Sequence, residues 1–208
     1  MPLVYQQNIN AVTQLGVWHI TETEDFFLST VPLQQSITHP HKRLQHLAGR
    51  YLLRELYPDF PISLISIADT KKPFLANEAY HFSISHCGDY AAVIISEVQR
   101  VGVDIELINE KISRIFPKFL SKEELFLLPR GSINKTATLL WSVKESIFKW
   151  YGDGKVDFKQ HMKVQKITGD DAGAVAVHFL KGRSIELHVR FLFFQDHFLS
   201  WVITNGSK

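Results

Sequence analysis

The chain has 208 residues, 45% of them hydrophobic and 21% charged, and its 23 basic and 21 acidic side chains leave a formal charge of +2. This is the profile of a soluble globular protein with one substantial core or two small ones; it excludes a disordered polymer, a collagen-like repeat and a disulfide-stapled miniprotein. Cys87 is the single cysteine, so neither an internal disulfide nor a thiol-based zinc cluster can form. No apolar run approaches the roughly 20 residues needed to span a bilayer. The N-terminus shows no basic segment followed by an apolar stretch, so a cytoplasmic location with no membrane partner is expected. Near-neutral charge argues against a nucleic-acid partner, and any anionic ligand must be held by local clusters.

In chain order, the first predicted element is an amphipathic helix over 44–56, where Leu44, Leu47, Ala48, Tyr51, Leu52 and Leu56 recur at helical spacing until Pro58. Strands are predicted over 63–68, 80–86 and 90–96, the last two separated by the turn-forming pair Gly88 and Asp89. Strict alternation of Val101, Val103, Ile105 and Leu107 with Gly102, Asp104 and Glu106 makes 101–107 the clearest strand. Helices are predicted near 121–128 and 134–151, the second closed by Gly152-Asp153-Gly154, and strands over 174–180, 185–191 and 198–204. The pattern divides near residue 100, and each half offers helix plus strands, an α+β organisation.

Asp104 and Glu106 leave one face of their strand about 6.6 Å apart along the backbone. Solvated sheet faces carry charges at this spacing too, but convergent carboxylates also make a half-site for Mg²⁺, which prefers oxygen ligands. The helix bearing Trp141-Ser142-Val143-Lys144-Glu145-Ser146-Ile147-Phe148-Lys149 could add Glu145 as a third carboxylate and Lys149 as a phosphate contact. The plainer reading of Glu145 and Lys149 is an ordinary i,i+4 ion pair. Lys144 falls within the apolar stripe, where it must snorkel or find a carboxylate. On the first helix Arg43, His46, Arg50 and Arg54 form a basic ridge, either a solvated face or a dock for a phosphate monoester. In Phe82-Ser83-Ile84-Ser85-His86-Cys87, alternation points His86 and Cys87 apart, which disfavours a Cys/His catalytic pair and leaves Cys87 as a small hydrophobe.

Lys72-Pro73, Phe82 to His86, the Gly102-Val103-Asp104-Ile105-Glu106 strand, Phe119-Leu120-Ser121 with Glu124, and Trp141 to Lys149 together resemble the 4′-phosphopantetheinyl transferases of the surfactin-synthetase-activating type. The resemblance covers about residues 40–152. It implies two similar α/β lobes in pseudo-twofold arrangement with the active site at their junction. Residues 1–100 would supply the basic helix and the His86 strand, and 101–208 the Mg²⁺-binding carboxylates and the catalytic helix. The implied reaction moves the 4′-phosphopantetheine arm of coenzyme A onto a serine of an apo acyl or peptidyl carrier protein and releases 3′,5′-ADP. Carried over residue by residue, Asp104, Glu106 and Glu145 match the Mg²⁺ ligands and Lys149 the pyrophosphate contact. Ser85 and His86 match the group at the 3′-phosphate, Arg43 and Arg50 lie on the basic helix that assists it, and Lys72 matches the lysine of a Gly-Lys-Pro motif. Glu124 is the first choice for the base that takes the serine proton and Glu145 the second. Two positions depart from the pattern: Lys71 stands where the family has Gly, and Cys87 where it has Ser. Since one chain supplies both halves, a monomer is expected. The competing readings are a non-catalytic protein that binds coenzyme A or a carrier domain, and a Mg²⁺-dependent phosphodiesterase; the balanced charge weakens the latter.

Overall fold

Two compact units make up the computed structural model, which describes residues 2–33, 36–129 and 131–205. The first contains the described residues up to Val101 together with Asn205, and the second is Gly102–Thr204. Both mix helix and sheet, an α+β architecture.

The first unit runs β1 (Leu3–Asn10), β2 (Thr13–His19), α1 (Glu24–Leu28), α2 (Pro40–Leu56), β3 (Ile65–Ile67), β4 (Pro73–Leu75), β5 (His81–Cys87) and β6 (Tyr90–Ser96). Its main sheet is antiparallel in the order β1-β2-β6-β5. α2 begins with Pro40, whose missing N–H costs nothing in a first turn, and buries Leu47, Ala48, Leu52, Leu53 and Leu56 with Trp18, Phe82, Ala91, Val93 and Ile95 of the sheet. Gly49 lets α2 approach β5: a Cβ there would lie 2.7 Å from Cγ2 of Ile84.

The second unit follows from β7 (Gln99–Leu107) through α3 (Ile112–Phe119) and α4 (Ile133–Tyr151) to β8 (Met162–Gly169), β9 (Ala172–Phe179), β10 (Ile185–Phe194) and β11 (His197–Asn205). The sheet order is β7-β11-β10-β9-β8. Leu140, Val143, Ile147 and Trp150 of α4 form one core with Val175, Val177, Val189, Phe191 and Val202 of the sheet. α4 ends at Gly152, whose left-handed φ of 79° lets its N–H return to the carbonyl of Phe148.

The helix expected over 121–128 is a correction. Only a single 3₁₀ turn, Glu124–Leu127, forms there, while an unpredicted helix occupies Ile112–Phe119. Ser121 and Glu124 close a capping box, with the Ser121 N–H donating to Glu124 Oε2 at 2.7 Å, but Pro129 follows too soon for a longer helix. The sequence pattern does not signal strands β1, β2, β4 and β8. β1 is a mostly exposed edge strand with two register irregularities, and a bulge between Val164 and Lys166 breaks the alternation of β8. The strand placed at 63–68 is only Ile65–Ile67, preceded by a 3₁₀ turn.

Candidate active site

The glycine of the Gly102 to Glu106 strand has a steric reason. A Cβ at Gly102 would lie 2.1 Å from the carbonyl oxygen of Ser146 and 2.6 Å from the backbone nitrogen of Trp150. α4 therefore presses backbone to backbone on β7, which brings the carboxylates of one element to the charged residues of the other. Lys149 Nζ donates to Asp104 Oδ1 at 2.6 Å, and Asp104 is 2% exposed. Trp141 Nε1 donates to Glu106 Oε1 at 3.1 Å. Burial, and then the charge of Asp104, pushes Glu106 up to about 7. The same two causes, in the same order, raise Glu145 to about 7, with Lys149 opposing. Thus Lys149 reaches Asp104 on the strand, beyond a simple one-turn pair with Glu145.

Three carboxylates on two elements locked by close packing, with Glu106 and Glu145 pushed up by burial and by the charge of Asp104, form the hard oxygen donor set that suits Mg²⁺. Among the described residues no three such groups are gathered around one point, and the ammonium of Lys149 is the cation seated on Asp104. The chemistry of the donors fits the ion; the present side-chain positions give the charge balance to Lys149.

Glu124 takes a different place from the one expected. It is 2% exposed and its oxygens accept from Lys144 Nζ at 2.9 and 2.8 Å, from the Ser121 N–H at 2.7 Å and from the Val164 N–H at 2.8 Å. Both oxygens are occupied by these donors inside the core. Lys144, fully buried, also donates to the carbonyls of Phe119 and Phe158, each at 2.9 Å. Burial pulls its pKa down and Glu124 opposes the shift. The lysine within the apolar stripe thus finds a carboxylate; its identity needed the tertiary structure.

In the first unit, α2 presents the basic ridge. Arg43 pairs with Glu24 of α1, and Arg54 Nη1 donates to the Thr30 carbonyl at 3.0 Å. Arg50, 5% exposed, donates through Nη1 to His46 Nδ1 at 3.2 Å. Burial foremost, then the charges of Arg50 and His86, hold His46 down at about 4. Neutral His46 that accepts at Nδ1 carries its proton on Nε2. That atom is buried without a hydrogen-bond partner among the described residues, as are Nε of Arg43 and Nε of Arg50. Three buried donors without acceptors suit an anion. Ser85 is buried and His86 exposed on β5, and Lys72 is half-buried before β4. The sequence places His46 on the ridge without marking it as a site residue; its i,i+4 spacing to Arg50 is the signal that points to it. Lys71 adopts a left-handed φ of 64°. A non-glycine residue holds that conformation at a cost of about 1 kcal/mol.

Residues 100–202 match the sequence model of the 4′-phosphopantetheinyl transferase superfamily. The match takes in nearly all of the second unit. Among curated proteins, enterobactin synthase component D of Salmonella typhi is 31% identical over 144 residues, covering 67% of this chain and 60% of the relative. The Salmonella typhimurium protein of the same name is 28% identical over 67% of this chain and 60% of its own length. A Haemophilus influenzae protein named as a candidate 4′-phosphopantetheinyl transferase is 29% identical over 64% and 60%. The matched stretch thus spans about three fifths of each relative.

Proposed function

We propose that this protein is a 4′-phosphopantetheinyl transferase of the surfactin-synthetase-activating type, moving the phosphopantetheine arm of coenzyme A onto a serine of an apo acyl or peptidyl carrier protein. The observation that carries this reading is the Asp104, Glu106, Glu145 and Lys149 cluster, built from the motif strand and the motif helix within the superfamily match. The new bond forms between serine Oγ and the phosphorus bearing the pantetheine arm. The pyrophosphate bond breaks, 3′,5′-ADP leaves with the bonding electrons, and the hydroxyl proton passes to a carboxylate. We assign that proton to Glu145, the carboxylate that the motif helix carries one turn from Lys149. Asp104, Glu106 and Glu145 would hold Mg²⁺, which when bound supplies charge neutralisation to the pyrophosphate. Lys149, displaced from Asp104, stabilises the charge of the leaving group. His46, Arg43 and Arg50 with Ser85 and His86 receive the 3′-phosphate, and Lys72 is a further phosphate contact. A cytoplasmic monomer is part of the same proposal; no helix among the described residues is long and apolar enough to cross a membrane.

The test mixes the protein with coenzyme A, Mg²⁺ and several purified apo carriers and follows carrier mass. A gain of one phosphopantetheine is expected, and Asp104→Ala and Glu145→Ala should each abolish it while unfolding cooperatively. Binding of coenzyme A with no mass gain on any carrier would instead establish the non-catalytic reading.

A further inference from the structure

Trp141 stands between the Glu106 carboxylate and the buried Glu124–Lys144 pair of the second unit. Its indole N–H donates to Glu106 Oε1 at 3.1 Å. Its ring lies against Phe119 at a centroid distance of 4.9 Å, edge to face, and against Phe158 at 5.6 Å. The carbonyls of these same two phenylalanines are held at 2.9 Å by Lys144 Nζ, which is fixed in turn by both oxygens of Glu124. The buried ion pair therefore anchors the backbone on both sides of the indole, and the indole fixes one oxygen of the carboxylate. A half-buried tryptophan held in this way has little freedom to leave Glu106, and a donor on one carboxylate oxygen orients the other.

We propose that Trp141 is a positioning residue for Glu106 as a divalent-cation ligand, with the Glu124–Lys144 pair as the buried brace that keeps its indole in place. The inference rests on the Mg²⁺ reading above. It explains why a core would keep a lysine and a glutamate where two apolar residues would fill the same space: Lys144 joins α4 to the carbonyls of Phe119 and Phe158 and to Glu124, which is itself tied to Val164 of β8. Trp141 touches neither coenzyme A nor the reacting atoms in this scheme, and its effect passes through Glu106.

The measurement is a Mn²⁺ titration followed by the electron paramagnetic resonance signal of the free ion, on the complex with coenzyme A and without any carrier, so that no turnover occurs. Trp141→Phe should bind Mn²⁺ on the order of tenfold more weakly, as loss of a ligand's outer hydrogen bond does elsewhere. Metal-free coenzyme A affinity should change by less than about twofold, a split that a merely structural role would not produce. If the smaller ring disturbs packing, 3-benzothienylalanine at position 141 keeps the size and removes only the N–H, and should reproduce the loss. Unchanged Mn²⁺ affinity in the benzothienyl protein overturns the proposal. Failure of the unsubstituted protein to bind Mn²⁺ overturns the metal reading itself, whereas Mn²⁺ binding without carrier modification overturns only the transfer reading.

Discussion

Replacing Gly102 by alanine tests whether the backbone contact between β7 and α4 builds the site. The added Cβ would stand 2.1 Å from the Ser146 carbonyl oxygen and 2.6 Å from the Trp150 nitrogen. An ordinary carbon–oxygen contact of about 3.3 Å requires α4 or β7 to give way by about 1 Å. Both obstacles are main-chain atoms inside a hydrogen-bonded helix, so no side chain can rotate to make room. Overpacking of this kind costs about 3 kcal/mol, the upper end of the usual range, which in a chain of this size lowers the melting temperature by about 6–12 °C. The same shift carries Glu145 and Lys149 away from Asp104, and a misplacement of about 1 Å costs on the order of 10²-fold in rate. Differential scanning calorimetry and the carrier-modification assay read the two effects. A Gly102→Ala protein melting within 1 °C of the parent, at full activity, would refute the argument. Gly49→Ala is the internal contrast: the atom met at 2.7 Å is the end of the Ile84 side chain, which can move, and alanine raises helix propensity by about 1 kcal/mol. Its net change should stay within about 1 kcal/mol.

Breaking the buried ion pair from either side, with Glu124→Gln or Lys144→Met, should cost about 3–5 kcal/mol in urea unfolding, because each leaves a buried partner unsatisfied. The pair replaced together by Leu and Met should lose less than the sum of the singles; additive losses would show that the two residues do not interact. His46 is held near 4 in the fold against 6.5 when free, so the folded state binds fewer protons, and the stability present above 6.5 is lost as pH falls towards 4. Discounted for partial exposure, the loss is about 2 kcal/mol, and it should be missing from His46→Gln in paired denaturation curves. Glu106 and Glu145 titrate near 7 with the opposite sign: without a cation their contribution favours the fold at acid pH and is lost as pH rises through 7. Mg²⁺ must displace their protons, so its affinity should weaken severalfold when calorimetric titrations move from pH 8 to pH 6. A pH-independent affinity would remove both groups from the ion's coordination.

Elements whose periodicity is unbroken were legible in the residue pattern alone. Alternation placed β5, β6 and β7 to within a residue or two, and helical spacing placed α2 and α4, because each repeats the geometry of its own backbone. It also put Asp104, Glu106, Glu145 and Lys149 on the two motif elements. Edge strand β1 and bulged strand β8 escaped because they lack that repeat. What each charge does became visible once the elements were packed together. Glu124 and Lys144 are 20 residues apart, and nothing local to either states that they meet in the core. Glu145 and Lys149 suggested a one-turn ion pair until close packing at Gly102 brought Lys149 to Asp104. Pairing is settled by which backbones approach closely enough, and that depends on the whole core and not on spacing along one element.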